Sequence, residues 1–376
     1  MTAGFSWMLG SPFWDELGLL QRTERSPQEL TKLRRERLAS VLGAAGWREG
    51  DGDPEEALKK FEPADRRRLG SGLAWRRRTS GSSGQAAQVS VGRSTYARLL
   101  AGFWRGMAWW GVVPGEPGLA LLGAGGSPVR RGLLRAKDKI LGVQRVLVDD
   151  GERWLGEAQD LLRSRTFAYV YGYPSALHEV ALTGVKPRRP PRVVVTTGEP
   201  LFAFQRRAIE EAFGSRVAEE FGCTELGTVA FECPAGSLHV AAEHVWLEQL
   251  DRRTLATSLF PRPVPVVRYR LDEPADEDSE TCACGLALAR AVLLRRQEDA
   301  WRRFEEAAWQ AANRGGLPAR FTVDLGGPAV RVPSGTPAAQ ARLLAAALGP
   351  GTSVEQVDHL PRRAAGKFSY LEGARD

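Results

Sequence analysis

Residues 79–85 read Thr-Ser-Gly-Ser-Ser-Gly-Gln, and three arginines precede them at positions 76–78. The backbone N–H groups and hydroxyls of such a run can surround a phosphate, because glycine adopts tight turns and has no Cβ to block a close approach. The same composition is also typical of a flexible linker. The run therefore predicts either a phosphate-binding loop or a linker, and the rest of the chain has to decide between them.

A second signal lies near the C-terminus, where residues 360–367 read Leu-Pro-Arg-Arg-Ala-Ala-Gly-Lys. Only seven of the 52 basic residues are lysines, so Lys367 stands out by its type. A lysine ammonium is a compact charge on a long stem, which suits it to reach a phosphate or a carboxylate from a mobile element. The alternative is a solvated surface lysine, which is the commonest kind.

Composition indicates a globular protein of more than one domain. The chain has 376 residues, of which 43% are hydrophobic, and this excludes a mainly disordered chain. Four cysteines argue against a disulfide framework and favour a reducing compartment, so we expect the cytoplasm. Residues 1–10 lack the pattern of a signal peptide, and prolines and a glutamate interrupt the most apolar stretch, residues 107–126. We therefore expect no membrane partner.

The formal charge of +7 leaves open a role in nucleic-acid binding. The basic residues are scattered among 45 acidic ones, however, and arginine is frequent throughout the chain. A general compositional bias explains the charge at least as well, so nucleic acid is not the expected partner.

Short apolar runs alternate with amphipathic segments through the middle of the chain. The runs predict strands over 119–122, 144–148, 168–171, 192–197 and 217–221, and the segments predict helices over 152–164, 174–183 and 204–213. Helices are also predicted over 26–44 and 94–110, and residues 238–270 look strand-like. This alternation predicts an α/β fold with a largely parallel sheet.

Two of the predicted strands end in polar turns, Gly198-Glu199-Pro200 and Gly222-Cys223-Thr224-Glu225. Ligands of open parallel sheets collect beyond the carboxyl ends of the strands, so these turns are candidates to hold a nucleotide and its metal. The carboxylate of Glu225 suits Mg²⁺, which prefers oxygen ligands. The alternative is a helix cap at Thr224 followed by an exposed Glu225.

The order and spacing of seven motifs resemble the adenylate-forming enzymes, in particular the phenylacetate–CoA ligase-like branch with its capsule-gene relatives. The motifs cover the chain from about residue 70 to its end and lie at 79–84, 111–115, 198–200, 222–225, 265–270, 282–285 and 360–367. The resemblance implies an AMP-binding domain over 1–297, with mostly parallel sheets flanked by helices and a small β-rich subdomain. It also implies a small α+β lid domain over 298–376.

The resemblance implies a two-step reaction. A carboxylate attacks the α-phosphate of ATP to give an acyl adenylate and pyrophosphate, and a thiol or an amine then displaces AMP. Positioning and positive charge supply most of the catalysis, because two anions must be brought together. The expected partners are a small carboxylic acid and an acceptor, which is coenzyme A, a carrier protein or an amine.

The family's functional residues carry over onto matching positions of this chain. The loop at Thr79, Ser80, Gly81, Ser82, Ser83 and Gly84 would hold the β- and γ-phosphates. Gly198, Glu199 and Pro200 would form a wall of the adenine pocket, and Gly222, Cys223 and Thr224 would lie at the nucleotide, with Thr224 on the α-phosphate. Glu225 would hold Mg²⁺, and Lys367, on the lid, would bridge the carboxylate and the α-phosphate before the lid rotates.

This chain departs from the family pattern at several places, two of which concern the ribose and the hinge. The aspartate that binds the ribose normally follows a Thr-Gly pair, whereas here the chain reads Leu271-Asp272-Glu273. We assign the ribose to Asp272, with Glu273 as the alternative. The hinge at residues 296–299 reads Arg-Gln-Glu-Asp and lacks the usual glycine, so the altered hinge fits an enzyme that only forms the adenylate or gives it to an amine.

The cysteines suggest a metal site. Cys233, His239, Cys282 and Cys284 supply three sulfurs and one imidazole, a set that suits tetrahedral Zn²⁺ in a closed, structural site. Members of the branch that the chain resembles often carry such a zinc. The alternative is that these thiols fill space in the core.

The acyl pocket is predicted near Tyr171, Tyr173, Ser175 and Phe202, whose aromatic rings would suit an apolar acid. Two further classes of function stay open at this point: a zinc-containing nucleic-acid-binding module and a catalytically inactive scaffold. Neither would use the residue 79–85 loop or Lys367. A homodimer is expected by family habit.

Overall fold

The structure is a computed structural model. It describes residues 6, 8–63, 75–78, 88–123, 128–151, 153–251, 253–324, 329–363 and 366–372. Its helices are α1 (Ser11–Thr23), α2 (Pro27–Ala44), α3 (Pro54–Leu58), α4 (Arg93–Trp109), α5 (Pro128–Ile140), α6 (Arg153–Ser164), α7 (Pro174–Leu182), α8 (Ala203–Phe213), α9 (Asp299–Gly315) and α10 (Ala338–Leu348). Among these residues, no helix combines the length and the apolar character needed to cross a bilayer.

The strands follow in the same numbering along the chain. They are β1 (Trp75–Arg78), β2 (Gln88–Val91), β3 (Gly118–Leu122), β4 (Val143–Leu147), β5 (Tyr169–Gly172), β6 (Val193–Thr197), β7 (Val217–Cys223), β8 (Gly227–Glu232), β9 (Leu238–Val240), β10 (Val245–Leu250), β11 (Arg253–Ser258), β12 (Tyr269–Arg270), β13 (Ala275–Asp278), β14 (Arg290–Leu293), β15 (Thr322–Asp324), β16 (Ala329–Pro333), β17 (Ser353–Val357) and β18 (Leu371–Glu372).

The chain divides into two compact units, each built from two segments. Unit 1 comprises residues 1–116 and 218–294, and unit 2 comprises residues 117–217 and 295–376. The chain passes from unit 1 into unit 2 for the second time at residue 295, just before the segment in which the hinge is predicted. The predicted division into residues 1–297 and 298–376 stays a prediction.

Unit 1 is mainly antiparallel. Its strands β7, β8, β9, β14 and β13 pair in that order, and β10, β11 and β12 form a second antiparallel sheet. Helix α2 begins where its sequence predicts, because the Ser26 side chain accepts a hydrogen bond from the Glu29 amide over 3.4 Å and Pro27 occupies the first turn.

Unit 2 contains the predicted parallel sheet, in which β6, β5, β3 and β4 pair in that order and every neighbour is parallel. Strands β3 and β6 read Gly-Leu-Ala-Leu-Leu and Val-Val-Val-Thr-Thr, and four of the five residues in each are buried. Such continuous apolar runs are typical of strands that are covered on both faces. Aliphatic side chains from these strands and from α6, α7 and α8 form one core.

The C-terminal segment of unit 2 adds helices α9 and α10 and a four-stranded sheet in the order β17, β16, β15, β18. Its core combines seven aromatic rings with aliphatic side chains and includes two side chains from the earlier segment, Phe202 and Phe204. The ring of Phe202 stacks on Trp301 at 4.9 Å between centroids and meets Phe304 edge-on at 5.0 Å. The two segments of unit 2 therefore share a core.

The α/β class predicted from the sequence is confirmed, and the eight strands and helices predicted between residues 119 and 221 are all present within one or two residues of their predicted ends. No individual helix was predicted at the positions of α1, α3, α5, α9 and α10. The alternative of a helix cap at Thr224 with an exposed Glu225 is wrong, because β7 pairs with β8 in an antiparallel hairpin and Glu225 is buried.

Candidate active site

The Gly198-Glu199-Pro200 turn follows the buried strand β6, as predicted. Gly198 has a φ of +74°, a conformation that favours glycine, and this turns the chain sharply out of the sheet. Glu199 then meets the first turn of α7. The Ser175 amide donates to Glu199 Oε2 over 3.1 Å, and the Ser175 hydroxyl donates to Glu199 Oε1 over 3.1 Å. Two predicted site residues are thus in direct contact.

Lys367 lies beside this turn. A Cβ built on Gly198 would stand 3.2 Å from both Cε and Nζ of Lys367, and Nζ is 6.0 Å from the centre of the Tyr173 ring. A glycine at position 198 therefore makes room for the lysine stem. The structure brings together Lys367, Gly198, Glu199, Tyr173 and Ser175, which the sequence places in three distant motifs.

The loop that carries Lys367 has a tightly constrained backbone. Gly366 has a φ of +80°, and a Cβ at this position would lie 2.4 Å from the carbonyl oxygen of Val148 and 3.1 Å from the Cα of Gly123. A side chain has no room there, and the obstacles are main-chain atoms that cannot turn away. The Arg363 amide closes the loop by donating to the Lys367 carbonyl over 2.6 Å.

Burial governs the ionisation of the groups around Lys367. Burial, helped by the charge of Glu199, raises the pKa of Tyr173 to about 12, so its phenol stays protonated at neutral pH. Burial also raises the pKa of Glu199, while the Arg362 guanidinium and the Phe368 amide act in the opposite direction.

In unit 1, the Gly222–Glu225 motif forms the tip of the β7–β8 hairpin. A Cβ on Gly222 would lie 2.3 Å from the Gly227 carbonyl oxygen, at a point where the register shifts, so the close approach of the two strands needs a glycine. Glu225 is buried, and its Oε1 accepts a hydrogen bond from the Tyr269 hydroxyl over 2.6 Å. Its carboxylate is oriented by this bond and supplies the oxygen chemistry that Mg²⁺ prefers. Asp272 lies on the surface of the same unit.

The four predicted zinc ligands also come together in unit 1. Their ligand atoms all lie within 4.8 Å of one another. Sγ of Cys233 is 3.7 Å from Sγ of Cys282, and Sγ of Cys284 is 3.2 Å from Nε2 of His239. Two thiolates on one zinc ion stand about 3.8 Å apart in a tetrahedron, so the spacing fits the metal. Nδ1 of His239 lies 2.9 Å from the Leu288 carbonyl, which orients Nε2 toward the sulfurs.

Comparison with known proteins identifies the fold. No family model matches the chain, and no curated protein sequence matches it. Among solved structures, 2-hydroxyisobutyryl-CoA ligase in its postadenylation state with R3-HIB-AMP matches with a TM-score of 0.59 at 15% identity, over 96% of this chain and 89% of that one. The same ligase with 2-HIB-AMP matches with a TM-score of 0.58, also at 15% identity and with the same coverage. The chain has the fold of the adenylate-forming ligases.

The adenylate-forming fold was predicted from motif order, and this prediction is confirmed. The narrower placement in the phenylacetate–CoA ligase-like branch stays a prediction. So does the phosphate-binding role of residues 79–84, which lie outside the part of the chain that the structure describes. Gly198 and Gly366 have a positive φ, and a Cβ on Gly222 or Gly366 would meet main-chain atoms, which explains why each motif requires a glycine.

The residues predicted to form the acyl pocket differ in burial and in the side chains around them. Tyr171 is half-buried on β5, and Tyr173 is buried beside Lys367. Phe202 is only 3% exposed and packs among the aromatic rings of the C-terminal segment. The pocket assignment of all four residues stays a prediction.

Sequence reasoning missed two residues next to the Lys367 loop. Arg362 was noted only as part of its motif, and Glu179 was not singled out, yet the two form a buried ion pair. The signal for Glu179 was available: it is the only acidic residue of helix α7, whose other residues are mostly apolar, and a buried charge there requires a partner.

Proposed function

We propose that this protein is an AMP-forming ligase that activates a small carboxylic acid with ATP and transfers the acyl group to a thiol, that of coenzyme A or of a carrier protein. The observation that carries the proposal is the position of Lys367 against the Gly198–Pro200 turn, in a chain with the fold of the adenylate-forming ligases. The similar structures are those of a CoA ligase holding an acyl adenylate, which supports CoA as the acceptor.

In the first step, a carboxylate oxygen attacks the α-phosphorus of ATP, and the bond from that phosphorus to the bridging oxygen breaks to release pyrophosphate. The Lys367 ammonium would lie between the two reacting anions and stabilise the charge that builds up on the α-phosphate oxygens. In the second step, the thiol sulfur attacks the acyl carbon, loses its proton to solvent, and expels AMP.

The other predicted site residues have the roles that the family resemblance implies. The loop at 79–84 would hold the β- and γ-phosphates, Gly198, Glu199 and Pro200 would border the adenine, and Asp272 would bind the ribose. Gly222, Cys223 and Thr224 would approach the α-phosphate, and Glu225 would hold Mg²⁺. The metal, when bound there, neutralises phosphate charge. We propose that Tyr171, Tyr173, Ser175 and Phe202 border the acid.

Zinc has a structural role in this proposal. Four protein ligands leave no open position on a tetrahedral ion, so a zinc bound by Cys233, His239, Cys282 and Cys284 would stabilise unit 1 and take no part in the chemistry. We further propose a cytoplasmic enzyme, on the basis of its free cysteines, and a homodimer.

A second candidate is an enzyme that stops at the adenylate or gives it to an amine. Two observations favour it: the hinge segment 296–299 lacks its glycine, and the following helix α9 buries Trp301 and Phe304 against Phe202. Rotation of a lid over 298–376 would have to expose these rings. Adding CoA, a carrier protein or hydroxylamine after adenylation distinguishes the candidates by which acceptor releases AMP.

The test of the main proposal is acid-dependent exchange of labelled pyrophosphate into ATP, with Mg²⁺ and a panel of carboxylic acids. We expect exchange with at least one acid, and a loss of more than 100-fold in Lys367→Ala. Lys32→Ala, on an exposed helix face, is the matched control and should keep full exchange. Exchange that survives in Lys367→Ala would overturn the assignment of the lysine.

A further inference from the structure

Arg362 lies inside unit 2, five residues before Lys367, and its side chain is only 1% exposed. One terminal nitrogen, Nη1, donates to the Gly366 carbonyl over 2.9 Å and to the Ser175 hydroxyl over 2.8 Å. The other, Nη2, donates to the Glu179 carboxylate. The guanidinium thus holds the carbonyl immediately before Lys367 and connects it to helix α7.

The other side of Lys367 is held as well. The Phe368 amide donates to Glu199 Oε1, the oxygen that also accepts from the Ser175 hydroxyl. The hydrogen bonds form a continuous path from Arg362 through Ser175 and Glu199 to Phe368. Both residues that flank Lys367 are therefore bonded into this path through main-chain atoms, and the lysine side chain projects from a backbone that is fixed on each side.

Other charged residues of unit 2 contact the members of this path. Glu179 pairs with Arg320 as well as with Arg362, and the Arg362 amide donates to Asp150 over 2.7 Å. A buried guanidinium with several partners is fixed in orientation, and removing it leaves a buried carboxylate with fewer partners. Arg320 contacts Glu179 without contacting the Lys367 loop, which makes it a matched control.

We infer that Arg362 is a positioning residue for Lys367: its guanidinium fixes residues 366–368 on Ser175 and Glu199, so that the Lys367 ammonium lies beside Gly198 before any substrate binds. The catalytic consequence rests on the proposed function, whereas the ordering of the loop does not. Arg362 contacts no reacting atom in this scheme, and it acts only on the step that uses Lys367.

The first experiment needs no substrate. Trace acetylation of the full-length protein by acetic anhydride gives the reactivity of the Lys367 amine by mass spectrometry, and hydrogen exchange gives the protection of the 360–372 peptide. In Arg362→Ala we expect the rate of Lys367 acetylation and the rate of hydrogen exchange in this peptide each to rise at least fivefold. In Arg320→Ala they should stay within twofold of the native protein. No change in Arg362→Ala would overturn the inference.

The second experiment separates positioning from general damage. Arg362→Ala should lower the kcat of pyrophosphate exchange at least 20-fold, with the KM for ATP changed less than threefold, and added methylguanidinium should restore part of the rate. Transfer from a chemically prepared acyl adenylate to CoA should stay within twofold. A loss of both steps to the same extent would contradict positioning.

The inference stays testable if Arg362→Ala does not fold or if the native protein shows no exchange. If Arg362→Ala does not fold, Ser175→Ala removes the middle of the same path and should raise the Lys367 acetylation rate by a smaller factor; an unchanged rate would overturn the inference. If the native protein shows no exchange with any acid, the proposed function fails. The acetylation and hydrogen-exchange results then still decide whether Arg362 orders the loop.

Discussion

The Arg362 guanidinium donates a hydrogen bond to the Ser175 hydroxyl over 2.8 Å, although 187 residues separate the two in the chain. Ser175 in turn donates to Glu199, in the turn that follows strand β6. Through this contact the rigid parallel sheet supports a loop near the C-terminus. A lysine on an unsupported surface loop can adopt many orientations. The contacts from Arg362 through Ser175 to Glu199 restrict the orientations that Lys367 can adopt.

Gly366→Ala should displace the Lys367 loop. Its φ of +80° alone costs a side-chain-bearing residue about 1–2 kcal/mol, and the new Cβ would also overlap the Val148 carbonyl. We expect pyrophosphate exchange to fall at least tenfold. Gly335→Ala is the control, because Gly335 has a φ of +88° with nothing within 4 Å of its built Cβ. Equal exchange in the two variants would contradict this role of Gly366.

Phe304→Ala should destabilise unit 2 by about 3–5 kcal/mol, because the side chain is fully buried in the aromatic core and its loss leaves a cavity. Trp309 lies on the same helix, α9, but is 37% exposed and stacks against Arg207. Trp309→Ala should cost about 1 kcal/mol or less. Urea unfolding followed by circular dichroism measures both values, and similar losses would argue against a shared core.

His178 should make the protein less stable in acid. Burial lowers the pKa of His178 from 6.5 to about 4, so between these values the unfolded chain binds the proton and the folded chain does not. Stability from this group is complete above pH 6.5 and is lost as the pH falls toward 4, by about 3 kcal/mol in total.

In His178→Phe, this part of the acid sensitivity should disappear, because the ring stays apolar next to Phe204. The difference in the free energy of unfolding between native protein and variant, measured with urea at pH 7, 5.5 and 4, should therefore shift steadily in favour of the variant. A constant difference across this range would show that His178 does not titrate as described.

Zinc content tests the four-ligand cluster. We expect about one zinc per chain by elemental analysis of freshly purified protein, and a lower melting temperature after treatment with a chelator. Cys233→Ser should lose both the zinc and the chelator effect, whereas Cys223→Ser should keep its zinc, since Cys223 is not among the four. Less than about half a zinc per native chain would count against the site.

The sequence predicted the parts of the molecule that rest on local patterns. Strand β6 and the turn at Gly198 follow from an apolar run ended by a glycine, and helix α2 follows from Ser26 and Pro27 at its start. The cluster of three cysteines and His239 was predictable because cysteine and histidine are rare in this chain. The contacts between Arg362, Ser175 and Glu199 were not, because each is an ordinary polar residue until the fold brings the three together.

The unpredicted hairpin of β7 and β8 has a similar cause. Residues 217–221 look like any buried strand, and nothing local to Thr224 and Glu225 distinguishes a hairpin tip from a helix start. Gly227, with a φ of +79°, is the residue that allows the chain to return along β7. Its effect depends on the pairing with Cys223, which is a tertiary contact.

The most direct test of carboxylate activation is to follow oxygen from the acid into AMP. With the acid that supports the fastest exchange, labelled with ¹⁸O in its carboxylate, and with CoA or hydroxylamine as acceptor, attack on the α-phosphorus transfers one labelled oxygen to the phosphate of AMP. We predict AMP with one ¹⁸O atom, together with unlabelled pyrophosphate. Unlabelled AMP, or ADP and phosphate as products, would contradict the account.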